Sequence, residues 1–146
     1  MLFTNSMKWF VVRYDDGLTR LCTEKYKEPS NSNLKNMCMH LTNYAINKKN
    51  DKFEFNTNAD ADGQGSKRSL IWFKKWLAEN GHDVDAMWRR LDDMLIKTLL
   101  SVQPALAHNY RSCRPEGNNG LTCFEVLGLD VMFDRKEKPW LIEVHI

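Results

Sequence analysis

The chain has few of the features that mark a secreted, zinc-bound or membrane-spanning protein. Four cysteines occur in 146 residues, and Cys22, Cys38, Cys113 and Cys123 show neither a CxxC pair nor a paired Cys/His spacing. This argues against a disulfide framework and against a structural zinc site. They read as reduced thiols that mostly pack. No apolar run approaches the roughly 18 residues of a membrane span, so no membrane partner is expected. The start, MLFTNSMKWFVV, has no basic segment ahead of a hydrophobic run and is interrupted by Lys8, unlike a secretory signal. A net charge of only +2 gives too weak a field to imply nucleic acid. No internal repeat or low-complexity tract is present.

What is there suits one globular domain or part of one. Hydrophobic residues make up 42% and charged residues 27%, and five Trp, seven Phe and four Tyr supply apolar area for a core. Paired basic residues at Lys67-Arg68, Lys74-Lys75 and Arg89-Arg90, with the loop Arg135–Lys138, either attract an acidic partner or are solvated faces.

WFVVRYDDGLTRLCT reads as a hairpin around Asp-Asp-Gly, a turn sequence that tolerates positive φ. EKYKEPSNSNLKN has loop composition, MCMHLTNYAINKKN a short ordered segment, and KNDKFEFNTNADADGQGSKR the composition of a mobile stretch. Ser69 can cap a helix over LIWFKKWLAEN, where Leu70, Phe73, Trp76 and Leu77 recur at helical spacing, and Gly81 sits where that helix would end. Asp83 or Asp85 can cap a longer helix with an apolar stripe of Trp88, Leu91, Leu95, Leu99, Val102 and Leu106. Pro104 is expected to kink it or split off its last turn. Two strand-like runs follow. The order strand pair, helices, strand pair predicts an α+β fold with helices over one face of an antiparallel sheet.

Those last runs, CFEVLGLDVMFD and KPWLIEVH, carry carboxylates inside apolar strands. If Arg135–Lys138 form a four-residue loop, paired residue numbers sum to 273, and Asp130 lies opposite Glu143 with Cβ atoms about 4.5–5.5 Å apart. Alternation then sends Leu127, Leu129, Val131, Phe133, Trp140, Ile142 and Val144 into the core. It leaves Asp130, Glu143 and His145 on the other face, beside Gly128, where a ligand can approach the backbone. Opposed like charges are destabilising unless compensated. A divalent cation compensates, since Mg²⁺ takes one or two carboxylates plus substrate phosphates; a solvated pair bridged to Lys or Arg is the rival reading.

CMHLTNYAINKKN and CFEVLGLDVMFDRKEKPWLIEV closely resemble two motif blocks of the tubulin tyrosine ligase-like family. LCTEKYKEP and GSKRSL are similar to its polyglutamylase branch, and VVRYDDGLTRLCTEKY and AMWRRLDDMLIKTLL fall in family order. The resemblance covers essentially all of residues 1–146. It implies an ATP-grasp catalytic domain, of which the later, C-terminal half is here. It also implies a cytoplasmic, cytoskeletal ligase, with the cilium or basal body as one setting, that uses ATP and Mg²⁺ to join free glutamate to tubulin tails. Asp130, Glu143 and His145 look like metal ligands, Thr42 and Asn43 like nucleotide-site residues, and Lys48 and Lys67 like basic positions near the amino-acid substrate. His40 and Tyr44 read as packing or orienting residues. His145 stands where the family usually has Asn, and the Lys-bearing half of the ATP site and a Ser-Pro continuation are not in the chain. Both features support the alternative, a non-catalytic fragment or pseudoenzyme that binds tubulin or another protein. Weak or no ATP binding by these residues alone is expected.

Overall fold

The computed structural model describes residues 2–5, 8–56, 62–113 and 124–146. Contacts divide the chain into two compact units, one of Met1–Tyr14 with Asp83–Ile146, the other Asp15–His82.

In the first unit, β1 (Leu2–Asn5) lies between β2 (Lys8–Val11) and β5 (Phe124–Glu125) in a three-stranded antiparallel sheet. Helix α4 spans Val84–Cys113, and the long strands β6 (Gly128–Phe133) and β7 (Pro139–His145) form a hairpin of their own. Asp83 starts α4, its Oδ1 accepting from Ala86 N at 2.9 Å. Met87, Trp88 and Leu91 on its first turns are buried in this unit's core, and the Trp88 ring stacks on Phe133 of β6 at 6.1 Å. Further along, Val102 and Leu106 are exposed, so the predicted stripe is buried only near its start. The helix runs on through Pro104 instead of splitting. The proline removes one backbone donor, and helical bonds on either side sustain the turn.

In the second unit, β3 (Leu18–Arg20) pairs antiparallel with β4 (Lys67–Ser69). Short helices α1 (Met37–His40) and α2 (Tyr44–Asn47) carry the buried residues Met39 and Asn47, and α3 (Leu70–Glu79) contributes buried Leu77. Ser69 caps α3 as predicted, accepting from Trp72 N at 2.8 Å. At the other end Gly81, with φ +82°, donates to Ala78 O and His82 N donates to Leu77 O, the paired bonds that satisfy a helix's last carbonyls. A methyl group at Gly81 would meet nothing within 4 Å. Gly81→Ala therefore tests the left-handed backbone alone, with an expected loss of ~1 kcal/mol in unfolding free energy read from urea denaturation.

The predicted hairpin around Asp-Asp-Gly does not form. β2 pairs with β1, and β3 with β4. Asp16 Oδ1 instead accepts from Leu70 N and Ile71 N at 3.1 and 3.2 Å, and Gly17 O accepts from Leu70 N. The helix start supplies backbone donors that need partners, so the acidic stretch satisfies them where a tight turn was expected. A single antiparallel sheet is likewise replaced by three small ones among the described residues, while the α+β composition holds. Residues 57–61 of the stretch read as mobile, and Cys123, lie outside the described residues.

The β6–β7 hairpin both meets and departs from the predicted register. Its loop is one residue longer than expected. Phe133 pairs with Pro139, Asp134 N donates to Lys138 O, and Glu137 turns the chain with φ +60°. Partners therefore sum to 272 as far as Val131↔Leu141, and a bulge at Ile142 restores 273 at Asp130↔Glu143. The correction falls on the core residues. Pro139 is buried and Leu141 half-buried beside Val131 and Phe133, whereas Trp140 and Ile142 are exposed.

Candidate functional site

Two groups of residues singled out by the sequence are brought together, one in each unit.

On the hairpin, Asp130 faces Glu143 and Gly128 faces His145, so all four share one face of the ribbon. Had the longer loop been uncorrected, Asp130 would oppose Ile142. The bulge turns Glu143 and His145 back to the side of Asp130, a re-aiming that bulges commonly perform. One ligand atom from each of Asp130, Glu143 and His145 can be chosen so that all lie within 4.8 Å of one another. His145 Nε2 is 3.7 Å from Asp130 Oδ2 and 3.7 Å from Glu143 Oε2. The space over Gly128 is partly taken by the imidazole, since a Cβ there would lie 3.6 Å from His145 Cβ and 3.9 Å from Cδ2. The side chains remain 30%, 60% and 51% exposed for Asp130, Glu143 and His145, which leaves the cluster open to an ion from solution. Two carboxylates and an imidazole fit a divalent cation: the oxygens suit Mg²⁺, and the nitrogen is the one donor that prefers softer ions.

The loop at the hairpin's tip is held by groups that sequence reading missed. Asp134 Oδ1 accepts from Lys136 N and Lys138 N, and its Oδ2 from Trp140 Nε1 at 3.0 Å. Arg90 of α4 donates to the carbonyls of Lys136 and Glu137 and pairs with the Glu137 carboxylate at 3.5 Å. The Trp140 indole donor, with the two backbone donors, holds the Asp134 carboxyl below the ordinary aspartate range. A depressed folded pKa stabilises above the unfolded value, and that contribution is lost as pH falls through the folded one. In an acid titration followed by NMR, the Trp140 indole N–H resonance is expected to hold until the pH is below the usual aspartate midpoint and then shift; Asp134→Asn should remove the step.

In the second unit, Thr42 and Asn43 form the link between α1 and α2. Asn43 occupies the N-cap position of α2, and its side chain makes no capping bond. The loop is shaped by Asn47, which is 1% exposed and which the sequence did not single out. Its Nδ2 donates to Leu41 O at 2.7 Å and Asn43 O at 3.1 Å, while its Oδ1 accepts from Thr23 N and Thr23 Oγ1 at 3.0 and 2.9 Å. Nothing in LTNYAINKKN distinguishes this asparagine from Asn43 and Asn50 as the buried one. Lys48 and Lys67 converge on Tyr44, their Nζ atoms 5.2 and 3.9 Å from its ring centroid. Tyr44 thus has two cations near its ring. His40 packs edge-on to Tyr26 at 6.0 Å, with Nε2 3.2 Å from Asn33 O.

Among the described residues no helix is long and apolar enough to cross a membrane. Comparison with known proteins adds the wider frame. The chain is 48% identical over 145 residues to the tubulin polyglutamylase ttll6 of Danio rerio, a match covering 99% of this chain and 18% of that protein. It is 48% identical over 134 residues to the tubulin polyglutamylase TTLL7 of Mus musculus, covering 90% and 14%. It is 45% identical over 148 aligned positions to the tubulin polyglutamylase TTLL13 of Homo sapiens, covering 99% and 17%. The chain thus spans less than a fifth of the length of these relatives. The model of the tubulin-tyrosine ligase family matches residues 1–146, the whole stretch in which the LTNY loop and the paired acidic strands occur, and the chain therefore belongs to the tubulin-tyrosine ligase family.

Proposed function

We propose that residues 1–146 are part of the catalytic domain of an ATP-dependent ligase, the later half of an ATP-grasp fold, which adds glutamate to glutamate side chains in the acidic tails of tubulin. The observation that carries this reading is the opposition of Asp130 and Glu143, with His145 beside them, on one open face in a chain whose relatives are named tubulin polyglutamylases. On this reading the protein works on the cytoskeleton, in the cytoplasm or at a cilium or basal body.

Bound Mg-ATP would supply a phosphoryl group to the acceptor carboxylate, so that the amine of free glutamate can form an isopeptide bond with release of phosphate, the cation neutralising charge that builds on the transferred group. Asp130, Glu143 and His145 would hold the Mg²⁺. Without a cation the two opposed carboxylates repel each other, so the pair is set to gain from positive charge. The Thr42 hydroxyl and the Asn43 amide would contact phosphate or ribose, on a loop held rigid by Asn47. Lys48 and Lys67 would hold a carboxylate of the incoming glutamate. The Tyr44 ring favours their positions through cation–π attraction and limits the rotamers of two long side chains before the substrate arrives.

The test is incorporation of labelled glutamate into tubulin by the full-length protein carrying this stretch, with Mg-ATP, and mass spectrometry of the tails. Glutamate on internal tail glutamates is expected. Transfer of glycine or tyrosine in its place, or no ATP-dependent transfer to tubulin, would overturn the reading.

A further inference from the structure

We propose that His145 makes the hairpin cluster a transition-metal-selective site, one that ranks Zn²⁺ above Mg²⁺ more strongly than its two carboxylates alone would. This rests on the reading of Asp130, Glu143 and His145 as a cation site and concerns which cation that site prefers.

The geometry supports a nitrogen donor that takes part in binding. His145 Nε2 stands 3.7 Å from a carboxylate oxygen on each neighbour. That spacing is longer than a hydrogen bond and short enough for a common ion between the three groups. The ring does not reach this position by chance. Gly128, directly opposite, has no side chain to displace it, and the bulge at Ile142 puts His145 on the same face as the carboxylates. Imidazole suits Zn²⁺, Co²⁺ and Cu²⁺, whereas Mg²⁺ favours oxygen and keeps much of its water. Two carboxylates with one imidazole match the three protein ligands plus open position of many zinc sites. Zn²⁺ would then compete with Mg²⁺ for this place, so that trace zinc acts as an inhibitor.

The experiment titrates the full-length protein with MgCl₂, ZnCl₂ and CoCl₂, the metals alone, by calorimetry and by visible absorption of Co²⁺. Asp130→Asn serves as the blank for other metal-binding groups. In His145→Asn, Zn²⁺ and Co²⁺ affinity at this site is expected to fall at least about tenfold, the lower end of what even an outer-shell change causes, while Mg²⁺ affinity changes little. The Co²⁺ spectrum should lose the contribution of a nitrogen ligand. His145→Gln should behave like His145→Asn, and the thermal midpoint of both variants should match the wild type. An unchanged ratio of Zn²⁺ to Mg²⁺ affinity in both variants overturns the selectivity while the cation site stands. Identical titrations of wild type and Asp130→Asn with every metal overturn the cation site itself.

Discussion

Asp130→Asn and Glu143→Gln, each made in the full-length protein, are expected to lower glutamate incorporation about 100- to 1000-fold and to leave the fold as stable as before or slightly more so. The first number follows from the charge stabilisation a bound cation gives a transferring phosphoryl group, worth several kcal/mol, at about 1.4 kcal/mol per tenfold in rate. The second follows from the hairpin. The carboxylates sit directly opposite each other, an arrangement that is destabilising for like charges, so that neutralising one relieves their repulsion. A structural role predicts the reverse order, with stability lost first and activity following it. Activity is read by incorporation into tubulin and stability by the thermal midpoint of the same preparations. A fall in activity that tracks a fall in the midpoint would remove both residues from the chemistry.

Asn47→Ala is the substitution expected to damage the fold most. It deletes four hydrogen bonds at a fully buried position and leaves the Leu41 carbonyl and the Thr23 amide and hydroxyl without this partner, while the Asn43 carbonyl keeps the backbone N–H groups of Ile46 and residue 47. A buried polar group left without a partner costs about 1–3 kcal/mol. Water entering the cavity will recover part of that, so a net loss of ~3 kcal/mol is expected in urea denaturation. Asn47→Asp separates the two halves of the network. It keeps the acceptor for Thr23 and loses the donor to Leu41 and Asn43, so the 41–43 loop should loosen while the Thr23 contact persists. Nucleotide affinity of the full-length protein should weaken in parallel if Thr42 and Asn43 line its site. Unchanged stability in Asn47→Ala would refute the network's role.

The two residue groups differ in how far they could be read in advance. The carboxylates were visible because strand alternation is a strict period of two, and a charged residue at matching positions of consecutive strands stands out against apolar neighbours. Even so, the predicted pairing held for a reason the arithmetic did not contain. The loop is a residue longer, the bulge at Ile142 compensates, and between those two shifts Trp140 and Ile142 changed sides with Pro139 and Leu141. The convergence of Lys48 and Lys67 on Tyr44 was not visible as geometry, because it joins a short helix to a strand far along the chain.

Local rules settled what depends on a few neighbouring residues. Ser69 and Asp83 start helices and Gly81 ends one, since orphan backbone donors and acceptors are satisfied within a turn of where they arise. By itself the sequence also determined the family likeness and the presence of two acidic residues in apolar strands. Tertiary structure decided the rest. Asp-Asp-Gly gave up a hairpin to bond the start of α3, Asn47 was buried while similar residues beside it stayed outside, and the bulge chose the face on which Glu143 and His145 lie. Each of these outcomes balances a local preference against a partner distant in the chain, and that partner's position exists only once the chain has folded.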